Sequence, residues 1–322
     1  MFTAKDRKKR WFVTGGAGFI GSHVVDVLMK EQCRFVTVYD NLSSGKKELL
    51  EPYRKNKNFR FYHEDLLKLK PLVRAIKGHD IVWHLAANTD IPGGYTKTDM
   101  DIKNCTVATY NVLEAMRQTN ISPIIFASTG AVYGESITWP AKEHSGPLIP
   151  VSLYGAGKIS SEAYIAAYAS LYGIQAWVFR FGNVIGKRMS HGVIYDFIQK
   201  LRKDPHRLII LGDGKQRKNY FLVEECIDGM LYCYHRLKNT YNLINLGAET
   251  STNVQKIAKI IIQEMGLKDV RIIIEGSPRA WPGDQPKVFL SVRAIRKLGW
   301  RAKHASDQAV RIATRRYLGK HP

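Results

Sequence analysis

The chain has 322 residues, 45% hydrophobic and 24% charged, with a formal net charge of +21. A chain of this length buries roughly three quarters of its unfolded surface, and its composition excludes collagen, coiled coil and a mainly disordered protein. Its apolar runs fall short of the ~18 residues of a membrane span, and the basic stretch 1–10 lacks the apolar core of a secretory signal.

In chain order, Arg10 to Thr14 reads as a strand, and Gly18 to Lys30 as a helix with Ile20, Val24, Val27 and Leu28 on one face. Arg34 to Tyr39 and Phe59 to His63 are further strands, Leu66 to Lys77 a helix and Asp80 to Leu85 a buried strand. A helix over 104–118, a strand over 124–127, a helix over 152–172 and a strand over 175–181 follow. This alternation with tight turns predicts an α/β fold, a Rossmann-type doubly wound parallel sheet. Beyond residue 182 glycine turns separate shorter elements, with helices expected at 224–237 and 254–265. The division expected is therefore 1–182 for a dinucleotide-binding domain and 183–322 for a smaller substrate domain, with part of 220–245 returning to the first.

Gly15, Gly18 and Gly21 form GxxGxxG at the first strand–helix turn. Glycines let backbone amides, here including those of Phe19 and Ile20, approach a pyrophosphate at a helix start. The second strand ends at Asp40, whose carboxylate can accept both ribose hydroxyls and repels a 2′-phosphate, so NAD is favoured over NADP. Asn41, Ser43, Ser44 and Gly45 continue that loop. Asp65 and Leu66 end the third strand on the adenine side. Leu85, Ala86 and Ala87 end the fourth, small enough for a cofactor to lie close.

Tyr154 and Lys158 are four apart, hence on one helix face. Ser128 and Thr129 end the fifth strand, at the sheet edge where doubly wound folds bind ligands. A free tyrosine of pKa ~10 is only about 0.1% ionised at pH 7; a cation beside it and an oxidised nicotinamide both favour the phenolate. Thr129 can hold a reacting sugar oxygen near that base. Taken alone, such a Tyr–Lys pair is common on ordinary helices.

Together these motifs resemble the extended short-chain dehydrogenase/reductases, and among them the nucleotide-sugar 4-epimerases of the UDP-glucose/UDP-galactose type. The resemblance spans nearly the whole chain. It implies that Tyr154 is the acid/base, that Lys158 binds the nicotinamide ribose and lowers the tyrosine pKa, that Thr129 contacts the 4-oxygen, and that NAD stays bound through turnover. Phe181 and Ser128 join the cofactor contacts. Thr89, Asn183, Gly192, Val193, Leu208, Ile210, Lys218, Arg279 and Asp284 are assigned to the nucleotide-diphosphate sugar. Departures stand at Trp281, where relatives carry an arginine that Arg279 would replace, at Lys218, where relatives carry an arginine, and at Cys105, where they carry an asparagine. Val288 falls near the position whose bulk limits the sugar pocket; its small side chain leaves room for an N-acetyl or uronate group.

Related 4,6-dehydratases place Asp-Glu after the catalytic threonine, and related UDP-glucuronate decarboxylases place Glu at the second of those positions. Gly130 and Ala131 occupy them here. The expected activity is therefore C4 epimerisation through a transient 4-keto sugar. A reductase, a decarboxylase, or a non-catalytic NAD-bound regulator or RNA-binding scaffold are the alternatives. The resemblance also implies a homodimer built from the helices near 104–118 and 152–172. Cys33, Cys105, Cys226 and Cys233 show no CxxC spacing and read as reduced thiols of a cytoplasmic protein without a metal. Residues 1–10 carry five bases and one acid, 187–218 nine and three, and 271–322 twelve and three. A basic surface attracts phosphate, nucleic acid or anionic lipid. No RNA-binding motif accompanies it, so nucleic acid is not expected, and peripheral contact with an anionic membrane is the remaining partner reading.

Overall fold

Trp11, Phe12 and Val13 have no exposed surface. Their strand, Arg10–Thr14 (β1), is apolar on both faces rather than alternating, as helices on both sides of a parallel sheet require. A computed structural model describes residues 2–135 and 137–320. In it, β1 pairs in parallel with Phe35–Asp40 (β2) and Ile81–His84 (β4), β2 with Phe59–His63 (β3), and β4 with Ile124–Thr129 (β5). Ala176–Phe181 (β6) and Tyr241–Leu246 complete a seven-stranded sheet in the order Tyr241–Leu246, β6, β5, β4, β1, β2, β3. The reversal of order beside β1 is the doubly wound arrangement, and it places strand ends β1, β2 and β4 side by side. The core on one face holds Phe12, Leu72, Val82, Val112, Leu113, Phe126, Ile165 and Val178. Burying each such side chain stabilises the fold by about 1.5–3 kcal/mol.

The chain forms two compact units. The first comprises residues through Val132, Leu153–Arg180 and Met230–Ile244; the second comprises Tyr133–Ser152, Phe181–Gly229 and residues from Asn245 onward. Residues 133–152, read from sequence as part of the first domain, thus group with the second, and the returning segment is 230–244.

The helix expected over 104–118 is longer and irregular. Asp99–Asp101 is α-helical, Ile102–Val107 is π-helical, and Ala108–Thr119 is α-helical again, closed by Asn120 in the left-handed conformation at φ 55. A π turn inserts a residue and shifts the faces that follow. The helix it meets, Leu153–Tyr172, carries Gly157 at the contact: a Cβ there would lie 2.9 Å from the Cys105 Cβ and 3.0 Å from the Asp101 carbonyl oxygen.

The second unit has three small sheets. Arg207–Ile210 pairs in parallel with Arg271–Ile274, and Asn183–Ile185 with Tyr220–Leu222. Arg217–Lys218 lies between Thr252–Asn253 and Lys287–Val288. Helix Val254–Met265 starts at an Asn253 cap that accepts the Lys256 amide at 2.8 Å and ends at Gly266. It is tied to helix Ser306–Tyr317 by Arg311 and Arg315, which share the Glu264 carboxylate. No helix among the described residues is long and apolar enough to cross a membrane.

Candidate active site

The first unit carries a backbone cradle where β1 meets helix Phe19–Lys30. Gly18 precedes that helix without a side-chain cap, which leaves the first helical amides unpartnered within it. Gly15 lies at φ +69, and a Cβ on it would come within 2.6 Å of the Ala86 nitrogen; a Cβ on Gly21 would come within 2.0 Å of the Gly15 oxygen. Backbone therefore faces backbone at both points. The Thr14 hydroxyl fixes the far wall by accepting the Leu85 and Ala86 amides at 3.2 and 3.3 Å.

Asp40 ends β2 with one carboxylate oxygen on the Ala17 amide at 2.9 Å and the other on the Leu42 amide at 2.8 Å. Each oxygen keeps a second lone pair for a ribose hydroxyl. Asn41 donates to Asp65 at 3.1 Å, and the other Asp65 oxygen takes the Leu67 amide at 2.8 Å. The loop between, with Ser43 and Ser44 exposed, closes on the glycine turn through the Lys46 amide and the Ala17 carbonyl. Bare amides at a helix start and a carboxylate at the next strand end fit an adenine dinucleotide.

Tyr154 and Lys158 are one turn apart on helix Leu153–Tyr172, and the Tyr154 hydroxyl is hydrogen-bonded to Thr129, the last residue of β5. Thr129 Oγ1 also accepts the Ala131 amide at 3.1 Å, which fixes the hydroxyl's direction. Lys158 is 2% exposed. Its Nζ donates to the Ala127 carbonyl at 2.7 Å and lies 4.6 Å from the Phe126 ring centroid and 5.9 Å from that of Tyr154. The expected lowering of the Tyr154 pKa is not found in the protein alone. Burial pushes the phenol above its usual range, and Cys105 and Asp101 add to this once ionised; the Thr129 hydrogen bond opposes them. Burial likewise pulls the Lys158 ammonium below its usual range. Unaided, these residues hold Tyr154 as a protonated acid.

Ser128, expected against the cofactor, spends its hydroxyl elsewhere. It is 3% exposed and bonds the carboxylate of Glu162, which lies two turns beyond Tyr154. Arg180 grips the same carboxylate through Nη2 at 2.6 Å and Nε at 3.0 Å. His84 is fully buried, with its ring nitrogens 2.7 Å from Thr14 Oγ1 and 3.0 Å from Thr109 Oγ1; burial pulls its pKa down to about 3. Thr109 in turn donates to Ser161 at 3.2 Å. This buried line braces β1, β4 and the Tyr154 helix together. Its partners are far apart in sequence, and no local motif announces it.

In the second unit, Lys218, Arg279 and Asp284 come together. Lys218 Nζ is 3.1 Å from the buried Asp284 carboxylate and 5.8 Å from the Trp281 ring centroid. Arg279 reaches the Asp284 carbonyl at 2.5 Å and forms a bidentate pair with Glu135 at 2.7 and 2.9 Å. Glu135 had no part in the sequence reading. Leu208 and Ile210 point inward with no exposed surface while Arg207 and Ile209 point out. Gly192, at φ +94 in open space, precedes helix Val193–Lys203. Asn183 pairs through its backbone with Asn219 at 2.7 Å, Phe181 is buried, and Thr89 is exposed.

A sequence profile of the NAD dependent epimerase/dehydratase family matches residues 11–247. A protein of Methanocaldococcus jannaschii provisionally named a UDP-glucose 4-epimerase is 35% identical over 295 residues, 90% of this chain and 92% of its own. UDP-glucuronic acid decarboxylase 1 of Xenopus tropicalis is 30% identical over 273 residues, 82% of this chain and 62% of its own. Among solved structures, the UDP-glucose 4-epimerase of Thermotoga maritima is 30% identical with a TM-score of 0.86, covering 96% of this chain and 98% of that one.

Proposed function

Because this chain belongs to the NAD-dependent epimerase/dehydratase family, we propose that it inverts C4 of a nucleotide-diphosphate sugar, a UDP-hexose or its N-acetyl or uronate derivative, through a transient 4-keto sugar. The observation that carries this reading is the bonded Thr129–Tyr154 pair beside Lys158, followed by a turn, Gly130–Tyr133, whose first two residues have no ionisable group. Elimination of water would need an acid there, and so would the decarboxylation named for the Xenopus relative. Epimerisation needs neither. The family's cofactor, NAD, supplies the hydride acceptor and, when oxidised, a positive charge. Gly15, Gly18 and Asp40 are the groups that would hold it.

Tyr154 Oη takes the proton of the 4-hydroxyl as C4 is oxidised and returns it when C4 is reduced on the opposite face. Thr129 holds the 4-oxygen by its fixed hydroxyl. Lys158 keeps a positive charge beside the phenol. Lys218 and Arg279 supply the charge for a diphosphate, in competition with Asp284 and Glu135.

Incubation with a panel of UDP-, dTDP- and GDP-sugars, read by NMR for inverted C4, tests the reaction. Tyr154→Phe should lose at least ~10²-fold in turnover while retaining bound NAD; near-normal turnover would refute the role. The proposed assembly is a homodimer. Ile102, Val107 and Tyr110 are exposed on one helix and Tyr164, Leu171 and Tyr172 on the other, with the Tyr110 and Tyr164 rings 6.2 Å apart. Sedimentation as a monomer at micromolar concentration would count against it.

A further inference from the structure

Tyr154, Lys158 and Glu162 follow one another at four-residue steps on helix Leu153–Tyr172. Each step turns a helix position by about 40°, so the three stay on one side of it. Each bonds a different one of the last three residues of β5. The Tyr154 hydroxyl bonds the Thr129 hydroxyl, the Lys158 ammonium donates to the Ala127 carbonyl at 2.7 Å, and the Glu162 carboxylate accepts the Ser128 hydroxyl. The helix is thus laced to the strand end at three levels. The first two involve groups assigned above to the chemistry; the third does not.

That third level is built as an anchor. Glu162, Ser128 and Arg180 are all buried. Arg180, on β6, holds the carboxylate from one side through Nη2 at 2.6 Å and Nε at 3.0 Å, which balances its charge and fixes its direction. The Ser128 hydroxyl donates to Oε1, the oxygen that also takes the Arg180 Nε bond. A hydrogen bond to an ionised carboxylate is stronger than one between neutral groups. Ser128 is joined to Thr129 by a single peptide unit, so the Glu162–Ser128 and Tyr154–Thr129 bonds are two rungs between the same helix and the same strand end. A shift of the helix along the strand lengthens both together. We propose that Glu162, acting through Ser128, sets the register that brings Tyr154 to Thr129, and is therefore a positioning residue for that pair; its bearing on turnover rests on the reading of the pair given above.

Ser128→Ala removes this rung and leaves the Arg180–Glu162 ion pair in place. The experiment follows the Tyr154 signal by NMR in the protein as purified, with its tyrosines labelled with ¹³C at Cζ and the signal identified by its loss in Tyr154→Phe. The wild type and Thr129→Val give the shifts of the bonded and unbonded phenol. Ser128→Ala should move the signal more than half way to the Thr129→Val position. Ser128→Cys, close in size but with a weak S–H donor, should move it the same way and serves where the alanine variant does not fold. A wild-type shift in either variant overturns the proposal. This reading does not depend on any sugar being turned over, so it stands apart from the test of the reaction. Where turnover is found, Ser128→Ala should lower kcat at least about 10-fold with KM changed less than about two-fold, since a misplacement of ~1 Å costs as much as 10²-fold in rate. An unchanged kcat overturns the proposal, as does a loss carried by KM alone.

Discussion

In the first unit, Arg180 and Glu162 meet with side chains 4% and 6% exposed; in the second, Arg279 and Glu135 form an equally well-shaped bidentate pair at 38% and 39% exposed. The hydrogen bonds are alike and the surroundings are not. Inside, each ion has lost its water, so the loss of its charged partner leaves it uncompensated. Outside, water competes, so the pair is worth little and its members can change partners. The first unit holds its chemistry in place with buried ions and a braced line of hydroxyls around His84. The second presents Arg279 and Glu135 as an exposed pair that water leaves free to change partners.

The strongest way to break this contrast is Arg180→Met. Leaving Glu162 uncompensated should cost about 3–5 kcal/mol in urea unfolding, and the added change Glu162→Gln should recover much of it. A loss below ~1 kcal/mol would make the two pairs equivalent.

Next comes acid. His84 has a folded pKa of about 3 against ~6.5 unfolded. The unfolded chain therefore binds the extra proton as pH falls through this range, and stability is lost from pH ~6.5 down to about 3 at up to ~1.4 kcal/mol per pH unit. His84→Gln should show a shallower decline in thermal midpoint over the same range; parallel declines would remove His84 from the brace.

The smallest effect is expected outside. Glu135→Gln should change stability by less than ~1 kcal/mol. It should also free Arg279 for anions, so calorimetry should find tighter UDP binding, with the gain fading as salt rises. Weaker binding would mean that Glu135 orients Arg279 instead of masking it.

What the sequence disclosed follows the same division between local and distant. GxxGxxG, Asp40 and the Tyr154–Lys158 spacing are short patterns whose geometry is set by one turn or one helix, and each appears where its spacing implies. Ser128 looked equally local, but its hydroxyl is claimed by Glu162, 34 residues away. Glu135 and Arg279 are 144 residues apart. Such partners are set by tertiary packing, and neither composition nor periodicity encodes them. The π turn is a third kind of omission: the periodicity of 104–118 shows helix, while the extra residue answers to Gly157 on another element. The inward direction of the Leu208 and Ile210 side chains is a matter of strand alternation, which a resemblance of positions does not specify.

The strand Tyr241–Leu246 forms one edge of the seven-stranded sheet, beside β6. A fragment ending at residue 182 would contain every glycine of the cradle and both Tyr154 and Lys158, yet would leave β6 as a bare rim of unpaired peptide groups, an invitation to aggregate. During synthesis the same holds for the nascent polypeptide: the sheet cannot be finished until residue 246 has left the ribosome, by which time most of the second unit's first half has already been made.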